Sequence, residues 1–191
     1  MKKSIFDTAT TNYYITRMNI FATSNNPLQA AADLCDKHIP KMCVETAQML
    51  AAAQVRHGRQ PEDMPLTQGG TPYKGGYKNH PCTLWCGENS SNYIWLARHG
   101  QELCRQYTLR FDKTHACEGP INQLAEMTDL LPVGLLTPHA QAMPDCYKQP
   151  DHVSAYRSYY RGEKMHFARW DHGPAPDWLF ICGVVFVRQA C

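Results

Sequence analysis

His38, Lys41, Glu45 and Gln48 recur at steps of three, four and three in a stretch otherwise rich in Ala, Leu and Met. On a helix that spacing puts all four on one face. A carboxylate with an ammonium group one turn away has the parts of a general base, or of an electrostatic stabiliser whose pKa the cation tunes. The same stripe facing water would amount to a lysine–glutamate pair worth about 0.3 kcal/mol. Glu45 is thus the candidate central acid, with Lys41 and His38 as catalytic neighbours and Gln48 as a ligand contact. Set among apolar residues, the Glu45 carboxylate has to be paired, and Lys41 or Arg110 is the expected partner.

A second stripe, Asn92, Trp95, His99, Glu102, Gln106 and Arg110, also steps by three or four. Trp95 and His99 among polar neighbours could form a stacking platform for a base, or Trp95 could pack beneath a loop. Arg110 opens the run Arg110-Phe-Asp-Lys-Thr-His115, which adds Lys113 and His115. Farther on, Arg157, Arg161, Lys164 and Arg169 alternate with Tyr156, Tyr159, Tyr160, Phe167 and Trp170. Cations with aromatics between them suit single-stranded or extruded nucleic acid, which needs phosphate neutralised and faces to stack on. An amphipathic helix with an aromatic core side would carry the same pattern. The ligand-binding candidates are Asn79, His80, Asn92, Trp95, His99, Arg110, Lys113, His115, Tyr156, Arg157, Tyr160, Arg161 and Lys164.

His80, Cys82, Cys86, His115 and Cys117 have metal-ligating chemistry but poor spacing. Pro81-Cys82 is followed by a cysteine one residue too late for a zinc deaminase, and only one knuckle is available. No metal site and no cofactor are expected. Gly69-Gly70 and Gly75-Gly76 lack the Lys-Ser/Thr ending of a phosphate-binding loop.

These residues need helices to hold them. A short strand is expected at Arg17–Thr23, then a helix from Leu28 to about Gln54, kinked or broken near Lys37–Pro40 because Pro40 removes a backbone donor. Residues 57–78 are rich in Gly, Pro and polar residues and read as a long mobile loop. Helices are expected over 92–111 and 120–131, a loop over 132–150, and a helix from an Asp151 cap to about Trp170. The apolar tail from Trp178 to Arg188 reads as a strand. The fold class is mainly α: an N-terminal extension at 1–17, then a single helical domain over 18–191 with a few short peripheral strands.

With 191 residues, 43% hydrophobic and 19% charged, the chain is globular in composition and long enough to bury a core without staples. A net charge of +2 predicts no partner by itself, so phosphate affinity must come from local clustering. The longest apolar run, Trp178–Val187, is half of what a membrane helix needs. The N-terminal residues lack the apolar segment of a secretory signal. Nine scattered cysteines suggest free thiols in a reducing cytoplasm.

Several motifs in one order resemble a family of uncharacterised tailed-phage proteins: Cys35-Asp-Lys-His38, Glu45-Thr-Ala-Gln48, Asn79-His-Pro-Cys82, Asn92 with Trp95, Arg110 to His115, Ala142-Met-Pro144, and Ala155 to Tyr160 with Glu163-Lys164. More remotely, the chain is similar to the phage pyrimidine-dimer DNA glycosylases of the endonuclease V group. Thr16-Arg17-Met18-Asn19, Asp36-Lys37-His38 and Glu45, seven residues beyond His38, match that group's pattern. The resemblance implies a small, mostly helical protein with Glu45 as the catalytic carboxylate. The group's nucleophile is the α-amine of an N-terminal threonine, whereas Thr16 is internal in the sequence as written. Glu45 is therefore expected to activate water or to stabilise an oxocarbenium-like sugar. The expected partner is nucleic acid or a nucleotide, in a bacterial or infected host cytoplasm, with N-glycosidic chemistry leading. A protein that sequesters a signalling nucleotide and a DNA-binding accessory module are the alternatives.

Overall fold

The computed structural model describes residues 18–180. The expected N-terminal extension and nearly all of the expected tail strand lie outside the described residues. Six α-helices are described: α1 (Pro27–Ala32), α2 (His38–Arg56), α3 (Pro81–Cys86), α4 (Ser90–Phe111), α5 (Glu118–Glu126) and α6 (His152–Glu163). Among the described residues the only β pairing is an isolated bridge between Leu66 and Pro72.

Pro40 breaks the first helical stretch as expected, but it does so from inside the second piece. It is the third residue of α2, where its missing N–H would have had no helical partner anyway. The chain turns through Asp33–Lys37, and Arg110 reaches in from α4 to close that turn. Its guanidinium donates to the carbonyls of Leu34 and Ala32, each at 2.8 Å, and to Asp36 at 3.1 Å. These are the orphan acceptors that a broken helix leaves behind.

α2 and α4 form the centre of the molecule. α2 turns Ile39, Met42, Ala47, Met49 and Leu50 inward, and α4 answers with Tyr93, Leu96 and Leu103. The two helices approach closely at Gly100, where a Cβ would stand 2.5 Å from Thr46 Cγ2. Asn89 caps α4 by accepting from the Asn92 N–H, and Asp112, in the left-handed region at φ 52°, ends it. The observed helix therefore contains the expected 92–111.

Other expectations shift at their edges. α3 is not among the expected helices. α5 starts two residues earlier than expected and stops at Glu126. α6 begins at its Asp151 cap, whose carboxylate accepts from the N–H groups of Val153 and Ser154. It ends at Glu163 rather than near Trp170. Gly162, where a Cβ would meet the Tyr147 ring at under 3 Å, is its penultimate residue, and the chain turns after Lys164 to bring Phe167 back over Lys37.

Among the described residues nothing pairs with Met18–Thr23, and it is not assigned as a strand. Asn19 pins it instead: its side-chain amide donates to Ala142 O at 2.8 Å and its Oδ1 accepts from the N–H groups of Ile20 and Phe21. The 57–78 loop lies against α2. Gly76 N–H donates to Gln48 O, and Gly75 is so close to Ala52 that a Cβ would be 2.4 Å from its backbone nitrogen.

Candidate active site

The first two turns of α2 carry Lys37 at their head, then His38, Lys41 and Glu45. Glu45 is 5% exposed. One carboxylate oxygen pairs with Lys41 Nζ at 2.8 Å, and the other accepts from the backbone N–H of Asn19 at 2.8 Å. Lys41 is thus the partner, as expected, and Arg110 is not. The second partner comes from the segment before α1 rather than from α4. Burial pushes the Glu45 carboxyl above its ordinary range, while Lys41 and the Asn19 N–H pull the other way.

Beside this pair opens a cavity of about 240 Å³. Its aromatic side is Phe21, stacked on His38 with centroids 4.7 Å apart and on Tyr159 at 6.1 Å. Its cationic side is Lys37, Lys41 and Lys164, with Asn19 and Phe167 completing the lining. No acidic side chain lines it. Lys164 Nζ donates to Tyr159 Oη at 3.0 Å and lies 4.5 Å from that ring's centroid, and Lys37 Nζ lies 4.8 Å from the centroid of Phe167. Phe21 holds a left-handed backbone at φ 53°, a strained conformation for a bulky residue, kept in place by the Asn19 side chain.

His38 is the polar floor of the cavity. Tyr160 Oη accepts from Cys35 N–H at 3.0 Å and is hydrogen-bonded to His38 Nδ1 at 2.8 Å. Burial, then Lys41, Lys164 and Lys37, lower the His38 pKa to about 3, so the ring is neutral near pH 7 and offers a hydrogen bond rather than a charge. Burial also lowers the Lys164 pKa.

The described residues are matched over 18–119 by the family model of pyrimidine dimer DNA glycosylase. The chain belongs to that family. The matched stretch is just over half of the chain and contains Asn19, His38, Lys41 and Glu45, while the Tyr159, Lys164 and Phe167 side of the cavity lies beyond it. No curated protein and no solved structure matches the chain. Family membership supports a DNA glycosylase-like action on nucleic acid. Among the described residues no helix is long and apolar enough to cross a membrane.

Of the residues singled out by sequence, the structure brings His38, Lys41, Glu45 and Lys164 to one place. It sends the others elsewhere. Gln48 lies under the 57–78 loop against Gly76. Asn92 is fully buried and ties Trp85 O, Glu88 and Thr137 together. Trp95 is stacked on His99 in an internal cluster with Trp85 and His139. Tyr156 is core, donating to Ala140 O, and Tyr160 is buried beneath His38. Arg157 donates to Thr23 O, and both Arg157 and Arg161 lie over the Trp178 ring. His80 caps α3 by accepting from Cys82 N–H, and Asn79 and Lys113 are exposed. His115 is half-buried against Tyr107.

The sequence stripes missed Asn19, Phe21, Lys37, Tyr159 and Phe167 as one site. Asn19 and Lys37 were visible within the glycosylase-like motifs, and Tyr159 and Phe167 within the basic-aromatic run. Nothing local joins the two sets.

Proposed function

We propose that this cavity holds a base or sugar-phosphate unit of DNA and that Glu45 drives N-glycosidic bond cleavage there. One observation supports this most directly: the buried Glu45 carboxylate, bound to Lys41 and to Asn19 N–H, adjoins a cavity that combines three lysines with stacked aromatic rings. The volume is below that of a typical drug-sized pocket and suits a single extruded unit rather than a dinucleotide. Lys37 and Lys164 neutralise phosphate, Phe21 offers an apolar face, and the neutral His38 offers a hydrogen bond without a charge.

In the reaction, charge develops on the sugar as the bond to the base breaks. A carboxylate held in a dry site stabilises that positive charge strongly and can deprotonate the attacking water. Lys41 keeps the carboxylate ionised and aimed. The proton that Glu45 takes from the attacking water is available to return to the departing base, and the neutral His38 takes part as a hydrogen-bonding group rather than as an acid.

Glu45→Gln keeps the shape and removes the charge. Turnover of ultraviolet-damaged duplex DNA should fall by about 10²-fold or more, while binding to the same DNA persists. Unchanged turnover would remove Glu45 from the mechanism. Stoichiometric release of an unmodified nucleotide from denatured protein would favour sequestration over catalysis.

A further inference from the structure

We propose that Cys43, Cys104 and His115 form a binding site for a thiophilic divalent cation, zinc above all, with Cys117 as the fourth ligand. The site is separate from the cavity above. Cys43 lies on α2, Cys104 on α4, and His115 with Cys117 on the connection into α5, so three segments converge on one point.

The ligand atoms of Cys43, Cys104 and His115 all lie within 4.8 Å of one another. The two sulfurs are 3.8 Å apart. Two thiolates on a tetrahedral zinc, with Zn–S of about 2.3 Å, stand about 3.8 Å apart. Simple packing of two thiols would give the same separation, so the distance alone decides nothing. The convergence adds to it: an imidazole nitrogen is brought to the same point from a third segment.

Two contacts hold the imidazole there. Its ring makes a hydrogen bond to the Pro40 carbonyl, the outer contact that usually fixes a metal-binding histidine. Its Nδ1 accepts from Cys117 N–H at 3.1 Å, a bond the ring would have to give up to turn that lone pair to a metal. Cys43 and Cys104 are fully buried, and both are free thiols, as is Cys117. The Cys117 sulfur is 3.7 Å from Tyr73 Oη, a contact it would give up to complete a Cys₃His set. Binding would convert the coordinating thiols to thiolates and release their protons to solvent.

Sequence spacing argued against a metal because it grouped His115 and Cys117 with His80, Cys82 and Cys86. The residues that converge are Cys43 and Cys104, 61 positions apart. No short motif announces that pairing.

The test uses the full chain, purified without chelator from zinc-supplemented cells and kept reduced. Elemental analysis should find one zinc per chain. Titration of metal-free protein with cobalt(II) alone should produce a sulfur-to-cobalt charge-transfer band and intense visible bands of tetrahedral geometry, saturating at one equivalent. His115→Ala, at a half-buried position, should weaken cobalt binding by at least about tenfold, and Cys117→Ser should reduce the charge-transfer intensity. Cys104→Ser should abolish the tetrahedral spectrum. Should that variant fail to fold, the wild-type titration and His115→Ala still decide. Metal-free protein from the zinc-rich cells together with no cobalt–thiolate band overturns the proposal. An undiminished spectrum in His115→Ala overturns the assigned ligand set.

Discussion

Glu45 sits in a balance between burial, which favours its neutral form, and two partners that favour the charge. Lys41 is the larger of the two partners and the more exposed, with about half of its side chain open to solvent. Replacing it with Met keeps the apolar stem over the carboxylate and removes the cation. With only Asn19 N–H left against its desolvation, Glu45 then spends more time protonated near neutrality. Lys41→Met should lower kcat on damaged DNA by about 10²-fold and cost about 1–3 kcal/mol of stability, since it leaves the buried Glu45 carboxylate with one partner fewer. Steady-state kinetics with a thermal melt alongside checks both halves. A large loss of stability with intact kcat would make Lys41 a structural residue.

At the scale of elements, the site depends on how closely α2 and α4 approach. Gly100 is the contact that permits it. A methyl group there would meet Thr46 Cγ2 at 2.5 Å and Ile121 Cγ2 at 3.3 Å, and neither is the end of a long flexible chain. Thr46 directly follows Glu45, so pushing α2 away moves the carboxylate as well. Although alanine is a better helix former than glycine, Gly100→Ala should destabilise the protein by about 1–3 kcal/mol through overpacking. Urea denaturation of the two proteins measures this directly. A neutral or stabilising result would mean that Thr46 can rotate out of the way.

Across the whole molecule, three histidines are held neutral in the interior: His38, His99 and His139, each with its pKa lowered to about 3, chiefly by burial. In the unfolded chain they titrate near 6.5. Between those two values the unfolded state binds protons that the native state refuses. Stability is therefore unaffected by these groups above about pH 6.5 and falls as the pH drops toward 3, by up to about 1.4 kcal/mol per pH unit for each histidine. Among the described residues His99 has no hydrogen-bond partner at either ring nitrogen, and its ring is stacked on Trp95, so His99→Phe should keep the stack and flatten the acid limb. Chemical denaturation at pH 7 and pH 5 would show it. An identical pH slope in the variant would return the acid sensitivity to other groups.

The sequence by itself determined what local physics controls. It placed the break before His38, the helix that ends at Phe111, the Asp151 cap, and the shared face of His38, Lys41 and Glu45, because helical period, proline and capping act over a few residues. It also carried the glycosylase resemblance, which the family match bears out. Only the tertiary structure decided which stripe came to line a cavity. The Asn92, Trp95, His99 and Arg110 face has the same spacing as the Glu45 face, yet it was spent on the core and on closing the Asp33–Lys37 turn. A polar residue at a helical position looks the same in sequence whether its partner is a ligand or a carbonyl far along the chain. Asn19 meeting Glu45, Phe167 meeting Lys37 and Cys43 meeting Cys104 are contacts of long chain separation, set by how the helices pack and by no short motif.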